Sequence, residues 1–77
     1  MTIDEYEALH DKQNGKCAIC GECETMKIKG ITMSLAVDHC HKTGKIRGLL
    51  CHHCNKAIGA FKDSPMLLKK AAEYLAV

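Results

Sequence analysis

Two Cys-x-x-Cys pairs restrict the fold of this chain more than any other feature. They are Cys17 with Cys20 and Cys51 with Cys54, and 30 residues separate the two pairs. A chain of 77 residues forms one domain, and a single core of this size rarely supplies enough stability without a staple. Zinc prefers four thiolate or imidazole ligands in a tetrahedron, and each pair can supply two of them. We therefore predict that these four cysteines bind one structural zinc ion.

The cellular compartment decides whether such cysteines bind metal or form disulfides. Residues 1–5 have neither the basic region nor the apolar region of a secretion signal, and no apolar run approaches the roughly 18 residues that span a membrane. Thiols stay reduced inside cells, where paired Cys-x-x-Cys motifs typically bind metal. We therefore expect a cytoplasmic protein that has no membrane partner. The alternative for the cysteines is a redox dithiol, which would hold no zinc.

Other cysteines and histidines are rival ligands for the zinc ion. Cys23 extends the first pair and can replace one of its members. Cys40 stands alone between two histidines, and we expect it to point away from the zinc site. His52 and His53 lie inside the second pair, and we expect both to be exposed positions on a helix.

The pattern of apolar, polar and turn residues predicts an α+β fold, in the order helix, cysteine knuckle, hairpin, helix and helix. Residues 2–13 favour a helix, because Thr2 can be its N-cap and Glu5 completes a capping box. Apolar and polar side chains alternate in residues 26–31, which contain a glycine, and this pattern predicts a short, irregular hairpin. The first helix and this hairpin thus flank the first pair of predicted zinc ligands.

The second half of the chain predicts a hairpin followed by two helices. Residues 35–39 and 46–50 favour strands, and residues 42–45 have the composition of a turn. A helix is expected from residue 51 to about residue 61, and the segment 63–65 provides a cap and a proline for the start of another. That last helix carries an apolar stripe that we expect to face the core. The stripe consists of Leu67, Leu68, Ala71, Ala72 and Leu75.

A group of polar residues in the middle of the chain has the chemistry of a hydrolytic site. The run Asp38-His39-Cys40-His41 ends a predicted strand, and Asn55 directly follows the last cysteine of the second pair. Carboxylate and amide oxygens suit a hard cation such as Mg²⁺, and a neutral histidine can act as a general base. Hydrolysis of a phosphodiester needs both kinds of group. The hairpin should bring its first strand near the zinc-anchored helix, so we expect Asp38 and Asn55 to approach each other.

Each of these residues also has a purely structural interpretation. Asp38 can cap a turn, and His39 can be a buried structural histidine. His41 can play a merely supporting part, and Asn55 can be an amide on a helix surface. Their occurrence together in one motif favours the functional interpretation.

The charge of the chain permits a polyanionic partner without requiring one. The formal net charge is only +2, and any single basic residue can be an ordinary solvated cation. The cations in and after the middle of the chain are Lys42, Lys45, Arg47, Lys56 and Lys62. Arg47 can bind a phosphate through two hydrogen bonds or form a structural ion pair, and the sequence leaves both interpretations open.

The residues from Leu35 to Asn55, which read LAVDHCHKTGKIRGLLCHHCN, resemble the phage recombination endonuclease VII family. This family belongs to the broader HNH, or His-Me finger, nucleases. The resemblance covers roughly residues 5–75 and includes the first Cys-x-x-Cys pair. It implies a single nuclease domain over residues 1–77, with a zinc-stabilised ββα-metal core and flanking N- and C-terminal helices.

The resemblance also implies roles for individual residues. By position, Asp38 and Asn55 would bind one Mg²⁺ or Mn²⁺ ion, and His39 would activate water as the general base. His41 matches a second histidine of the family motif and would contact the phosphate or support the metal site. The products would carry 5′-phosphate and 3′-hydroxyl ends. The setting would be the cytoplasm of a phage-infected or prophage-bearing bacterial host.

The chain departs from the family pattern at two points. Longer members resolve branched DNA as dimers through a C-terminal helical region, whereas this chain ends at Val77. Members can also place an acidic residue one helical turn after the asparagine, where this chain has Ile58. We therefore expect a monomer or weak dimer that nicks or cuts double-stranded DNA with little specificity, with branched DNA as a further candidate substrate. The alternative function is a non-catalytic zinc-ribbon module that binds DNA.

Overall fold

The α+β fold predicted from the sequence is confirmed. The computed structural model describes residues 1–76, which form three helices and two small antiparallel sheets. The elements are α1 (Ile3–Lys12), β1 (Lys27–Ile28), β2 (Ile31–Thr32), β3 (Ala36–His39), β4 (Ile46–Leu50), α2 (His52–Ala60) and α3 (Pro65–Leu75). Strand β1 pairs with β2, and β3 pairs with β4. No helix among residues 1–76 is long and apolar enough to cross a membrane.

Local signals set both ends of α1. The Thr2 hydroxyl accepts a hydrogen bond from the backbone N–H of Glu5 at 3.1 Å, and the Glu5 carboxylate accepts one from the backbone N–H of Thr2 at 3.1 Å. This is the predicted capping box, which satisfies two N–H groups that the helix itself leaves unpaired. The chain then leaves the helix through Asn14 and Gly15, which both have positive φ angles.

The side chain of Gln13 joins α1 to the central hairpin. Its amide nitrogen donates to the Leu49 carbonyl at 2.9 Å, and its amide oxygen accepts from the Leu49 backbone N–H at 2.9 Å. Gly48 leaves the space for this contact, because a Cβ atom at that position would lie 3.3 Å from the Gln13 amide oxygen. Gln13 thus gives β4 the pair of hydrogen bonds that a neighbouring strand would supply.

Replacing Gln13 with alanine should therefore destabilise the domain. Leu49 is fully buried, so its backbone N–H would lose its partner in a place that water reaches poorly, at a cost of about 1–3 kcal/mol, whereas its C=O would keep the hydrogen bond from the Ala18 backbone N–H at 3.1 Å. The measurement is the free energy of unfolding by urea, for the parent and for Gln13→Ala with zinc present. Lys12→Ala, at an exposed position of the same helix, is the control. A Gln13→Ala variant as stable as the control would contradict this role.

The β3–β4 hairpin contains a β-bulge that places Arg47. Its Cα partners are Ala36 with Leu50, Val37 with Leu49, Asp38 with Gly48 and His39 with Ile46. The pairing skips Arg47, so this residue is the extra one on β4 between the last two pairs. A bulge bends its strand and changes the direction of the side chains beside it. The bulge therefore lies beside the segment that carries Asp38 and His39.

The buried core is very small and includes two of the predicted zinc ligands. It lies where the hairpin meets the first Cys-x-x-Cys pair and the start of α2, with α1 against β4. Its buried apolar members are Cys17, Leu35, Leu49, Leu50 and Cys51. The hydroxyl of Tyr6 adds a hydrogen bond to the Leu35 carbonyl at 2.7 Å. So small a core fits the expectation that this chain needs a further staple.

Helix α3 begins as predicted but does not pack as predicted. Ser64 is the N-cap, with its hydroxyl accepting from the Leu67 backbone N–H at 3.2 Å, and Pro65 is the first helical residue. The apolar stripe was expected to face the core, yet none of the α3 residues is buried, and Leu75 is 75% exposed. That expectation is wrong for the described residues, because an amphipathic pattern shows that a helix has an apolar face but not what covers it.

Candidate functional site

The four predicted zinc ligands form one cluster. The sulfur atoms of Cys17, Cys20, Cys51 and Cys54 all lie within 4.8 Å of one another, and those of Cys20 and Cys51 are 3.9 Å apart. Sulfurs around a tetrahedral zinc with bonds of about 2.3 Å lie about 3.8 Å apart, whereas disulfide sulfurs lie about 2.05 Å apart. The donor set and its spacing thus fit a zinc ion, so the cluster can hold one.

Local backbone structure turns the sulfurs toward one point. In the knuckle, Gly21 adopts a φ of 72° and donates its N–H to the Cys17 carbonyl at 3.0 Å. At the other pair, Cys51 is the N-cap of α2, and its sulfur accepts a hydrogen bond from the Cys54 backbone N–H at 3.3 Å. The same cysteine therefore contributes to the metal cluster and starts the helix that carries Asn55.

The thiols of the cluster have divergent pKa values. Burial raises the pKa of Cys17, but backbone hydrogen bonds from Cys20, Cys51 and Ile19 outweigh it and bring the value to about 6. Burial and the other three thiols raise the pKa of Cys54 to about 12. Thiols this close resist simultaneous ionisation, because each thiolate opposes the formation of the next. A bound cation removes this penalty, which is the electrostatic reason why such a cluster suits a metal.

The rival ligands lie in different surroundings. Cys23 is exposed and is not part of the cluster, so the alternative in which it replaces Cys17 or Cys20 is wrong. His53 is exposed, as predicted. His52 is not: its Nδ1 atom lies 2.7 Å from the Glu24 carboxylate. The expectation of an exposed His52 is therefore wrong, because a partner 28 residues away in the chain covers it.

Glu24 ties the loop after the knuckle to the start of α2. One carboxylate oxygen accepts from the His52 backbone N–H at 2.8 Å as well as contacting the His52 ring, and the other accepts from the Met26 backbone N–H at 3.0 Å. Burial raises the pKa of Glu24, but the hydrogen bonds from His52 and Met26 outweigh it and hold the value at about 2. The sequence analysis missed this residue, although a carboxylate is a favourable partner for a helix N-terminus.

We expect Glu24→Ala to destabilise the domain and to loosen the start of α2. The side chain of Glu24 is 6% exposed, and hydrogen bonds to a charged group contribute about 1.5–3 kcal/mol. The lowered pKa means that this contribution is present above the ordinary pKa of 4.5 and is lost as the pH falls toward about 2. Thermal melting at neutral pH, with the exposed Glu22→Ala as control, measures the effect. Equal melting temperatures for the two variants would exclude this role for Glu24.

A network of charged side chains joins β3, β4 and the turn between α2 and α3. Arg47 donates from Nε to one Asp38 oxygen at 2.7 Å and from Nη2 to the other at 2.9 Å. The same Nη2 atom lies 3.2 Å from the Asp63 carboxylate, which also lies 3.0 Å from Nε2 of His41. The hydrogen bond to Asp38 is the largest cause of a raised pKa at Arg47. Asp38, which is only 8% exposed, thus has a compensating charge, as a buried carboxylate requires.

Asp63 is the second site residue that the sequence analysis missed. It appeared there only as part of a helix cap, whereas its carboxylate contacts both Arg47 and His41. Lys62 and Asp63 have φ angles of 56° and 54°, and this left-handed turn between α2 and α3 directs Asp63 back toward the hairpin. No local sequence signal predicts a contact between residues that are 16 positions apart.

Two of the four predicted catalytic residues, Asp38 and His41, belong to this charge network. Asp38 is buried on β3, whereas His39, at the bulge, and His41, in the turn that follows, are exposed. Asn55 is half-buried in the first turn of α2. Because α2 packs against both β3 and β4, the strand of Asp38 and the helix of Asn55 are neighbours. For Arg47, the structure has the ion pair, and the phosphate contact stays a prediction.

Two cavities meet at Arg47. The larger has a volume of 610 Å³, and its lining includes Cys40, His41, Lys42, Arg47, Lys62 and Asp63. The smaller has a volume of 240 Å³, and its lining includes Ile19, Asp38, Arg47 and Ile58. Ile58 stands where the resemblance allows an acidic residue, and here it gives the smaller cavity an apolar wall.

Comparison with known proteins gives this arrangement a family. The chain matches the recombination endonuclease VII family over residues 1–77. It is 43% identical over 76 residues to the Gene 59 protein of Mycobacterium phage D29 and equally to that of Mycobacterium phage L5. These alignments cover 97% of this chain but 43% of each relative, so the chain spans less than half the length of the phage proteins it matches. The chain belongs to the recombination endonuclease VII family, as the run from Leu35 to Asn55 predicted.

Proposed function

We propose that this chain is a divalent-metal-dependent DNA endonuclease of the HNH, or His-Me finger, type. The observation that carries the proposal is the packing of α2 against β3 and β4, which places the Asn55 helix beside the strand of Asp38 and His39. Membership of the endonuclease VII family supports the same reaction. The β3, β4 and α2 elements would be its ββα-metal core, and the products would carry 5′-phosphate and 3′-hydroxyl ends.

His39 is proposed as the general base. It is exposed at the end of β3, where a water molecule and a DNA strand can reach it, and a histidine is readily neutral near pH 7. The imidazole takes a proton from water as the water oxygen bonds to phosphorus, the bond from phosphorus to the 3′ oxygen breaks, and the leaving 3′ oxygen takes up a proton from solvent. His41 is proposed to contact the phosphate, from a position that Asp63 holds.

Asp38 and Asn55 are proposed to hold the catalytic cation. Their carboxylate and amide oxygens are the donors that Mg²⁺ or Mn²⁺ prefers. A bound divalent ion would polarise the scissile phosphate and stabilise the leaving 3′ oxygen. Arg47 donates to both oxygens of Asp38, so a cation at Asp38 would compete with Arg47 for those oxygens. A guanidinium displaced in this way would be free to contact a phosphate, which is the role predicted for it as an alternative to the ion pair.

The four-cysteine cluster is proposed to bind a structural zinc ion that takes no part in the chemistry. Four protein thiolates complete a tetrahedron and leave no position for water or substrate. Its function would be to fix the start of α2, because Cys51 and Cys54 are ligands and Asn55 is the next residue. A displacement of about 1 Å can cost about a hundredfold in rate, so a rigid attachment of Asn55 has a catalytic value.

The proposed substrate is double-stranded DNA, with branched DNA as a second candidate, and the proposed active form is a monomer or weak dimer. The phage relatives support a phage or prophage origin and a bacterial host, and the family supports action on DNA. Supercoiled plasmid incubated with pure protein and Mg²⁺ or Mn²⁺ tests the activity. Conversion to nicked and linear forms is expected, beside a His39→Ala sample that leaves the plasmid supercoiled. Equal background products from both proteins would refute the enzymatic function.

One observation favours a second candidate, a non-catalytic zinc-ribbon module that binds DNA. Arg47 already compensates the charge of Asp38, and a permanent ion pair would weaken the attraction of this carboxylate for a catalytic metal. This candidate predicts tight DNA binding without cleavage under any divalent ion. Zinc content of the purified protein separates both candidates from the redox dithiol, which would hold no metal.

A further inference from the structure

The larger cavity has a basic lining that the proposed catalytic residues do not explain. Its cations come from three separate parts of the fold: Lys42 from the turn after β3, Arg47 from β4, and Lys62 from the turn between α2 and α3. Among residues 1–76, Asp63 is the one carboxylate in this lining, and its charge is already engaged by Arg47 and His41. Within residues 1–76, neither Lys42 nor Lys62 forms an ion pair. The cavity thus carries an excess of positive charge.

The position of the cavity relates this charge to the proposed reaction. His41 and Arg47 line it on the side of the hairpin, and Arg47 also lines the smaller cavity that contains Asp38. A DNA strand whose scissile phosphate lies beside Asp38 and His39 would therefore enter or leave past His41 and Arg47. Its next phosphate would lie in the larger cavity, where lysines attract a phosphate as compact point charges.

We propose that Lys42 and Lys62 form a subsite for a backbone phosphate adjacent to the one that is cut. The subsite rests on the proposed function for its substrate, and it adds the side of the catalytic residues along which the strand continues. The subsite strengthens DNA binding and fixes the register of the protein on the DNA, since contacts to the DNA backbone position a protein without reading the base sequence. Neither lysine is assigned a part in the chemical step.

The test measures DNA binding separately from cleavage. Fluorescence anisotropy with a short duplex, on the His39→Ala background and without added divalent ion, gives the affinity at several salt concentrations. The variant is Lys42→Gln with Lys62→Asn, because asparagine tolerates the left-handed conformation at position 62. Loss of one phosphate contact should lower the slope of log affinity against log salt by about 1 per lysine. The affinity at 0.1 M salt should fall roughly tenfold for each lysine removed.

A matched control removes the same charge elsewhere. Lys69→Gln with Lys70→Gln changes two exposed lysines of α3 that are not part of the cavity lining, and it should leave both the slope and the affinity near those of the parent. Lys42→Arg with Lys62→Arg keeps the charge and should retain tight binding. Zinc content and melting temperature of each variant establish that it is folded.

Two outcomes would overturn the subsite. One is an unchanged salt slope in the Lys42 and Lys62 variant, and the other is an equal loss in the Lys69 and Lys70 control, which would indicate only general attraction. The proposed function fails by a different result, because a protein that binds DNA through these lysines but never cuts it would keep the subsite and lose the nuclease.

Discussion

Replacing Cys54 with serine should release zinc and unfold the domain. Structural zinc sites in small peptides contribute about 10–16 kcal/mol of apparent binding free energy at pH 7, which equals or exceeds the stability of a typical domain, about 5–15 kcal/mol. The buried core of this chain is small, and Cys17 and Cys51 belong to both the core and the four-cysteine cluster. Among residues 1–76, the core is too small to supply the stability that the zinc ion would contribute.

The experiment compares Cys54→Ser with the parent protein. Zinc content by mass spectrometry should fall from one ion per chain to well below one, and circular dichroism should show loss of helix at room temperature. Plasmid cleavage should disappear with the fold, because Asn55 directly follows the altered ligand. Removal of zinc from the parent by a chelator should produce the same loss of helix, and returning zinc should restore it.

Cys23→Ser is the matched control for this prediction. Cys23 is an exposed cysteine outside the cluster, so this variant should keep its zinc, its melting temperature and its activity. A Cys54→Ser protein with one tightly bound zinc ion and the parent's melting temperature would contradict the role given to the cluster. Loss of zinc from Cys23→Ser instead would show that the ligand set is wrong.

Replacing His39 with alanine should strongly reduce cleavage while keeping zinc and fold. His39 is exposed and lies outside the four-cysteine cluster, so its removal opens no buried cavity and removes no zinc ligand. A positioned general base typically contributes a factor of about 10²–10⁴ in rate. The cleavage rate with Mg²⁺ or Mn²⁺ should therefore fall by at least about a hundredfold.

The measurement is the initial rate of plasmid nicking, together with zinc content and melting temperature. His53→Ala is the control, because His53 is another exposed histidine to which the proposal gives no role, and it should cut at close to the parent's rate. If His39→Ala also lost its zinc, the assignment of residues to the structural and the catalytic metal sites would be wrong. If it cut as fast as His53→Ala, His39 would not be the base.

Features with short-range causes could be predicted from the sequence. The capping box of α1 needs only Thr2 and Glu5, three positions apart, and the start of α3 needs only Ser64 and Pro65. The residues of β3 and β4 favour strands and flank a turn, and the observed bounds of both strands differ from the predicted ones by at most one residue. The two cysteine pairs have spacings that suit one metal ion, and their sulfurs do cluster.

Features with long-range causes could not be predicted in the same way. Arg47 meets Asp38 because a β-bulge shifts the pairing by one residue, and it meets Asp63 because a left-handed turn brings the end of α2 back to the hairpin. The contact of Glu24 with His52 and that of Gln13 with Leu49 likewise join residues 28 and 36 positions apart. The apolar stripe of α3 shows the opposite: the sequence pattern predicted that the stripe packs against a core, but residues 1–76 do not supply such a partner.

The sequence by itself determined the four-cysteine cluster, the order of the elements and the family, because local spacing and a long specific motif carry that information. Only the tertiary structure decided how the charges of the candidate site compensate one another. It paired Asp38 with Arg47, held His41 on Asp63, and grouped Lys42 with Lys62 in one cavity. The physical reason is that such contacts depend on register, on a single extra residue in a strand and on the direction of a turn. A local pattern does not encode any of these.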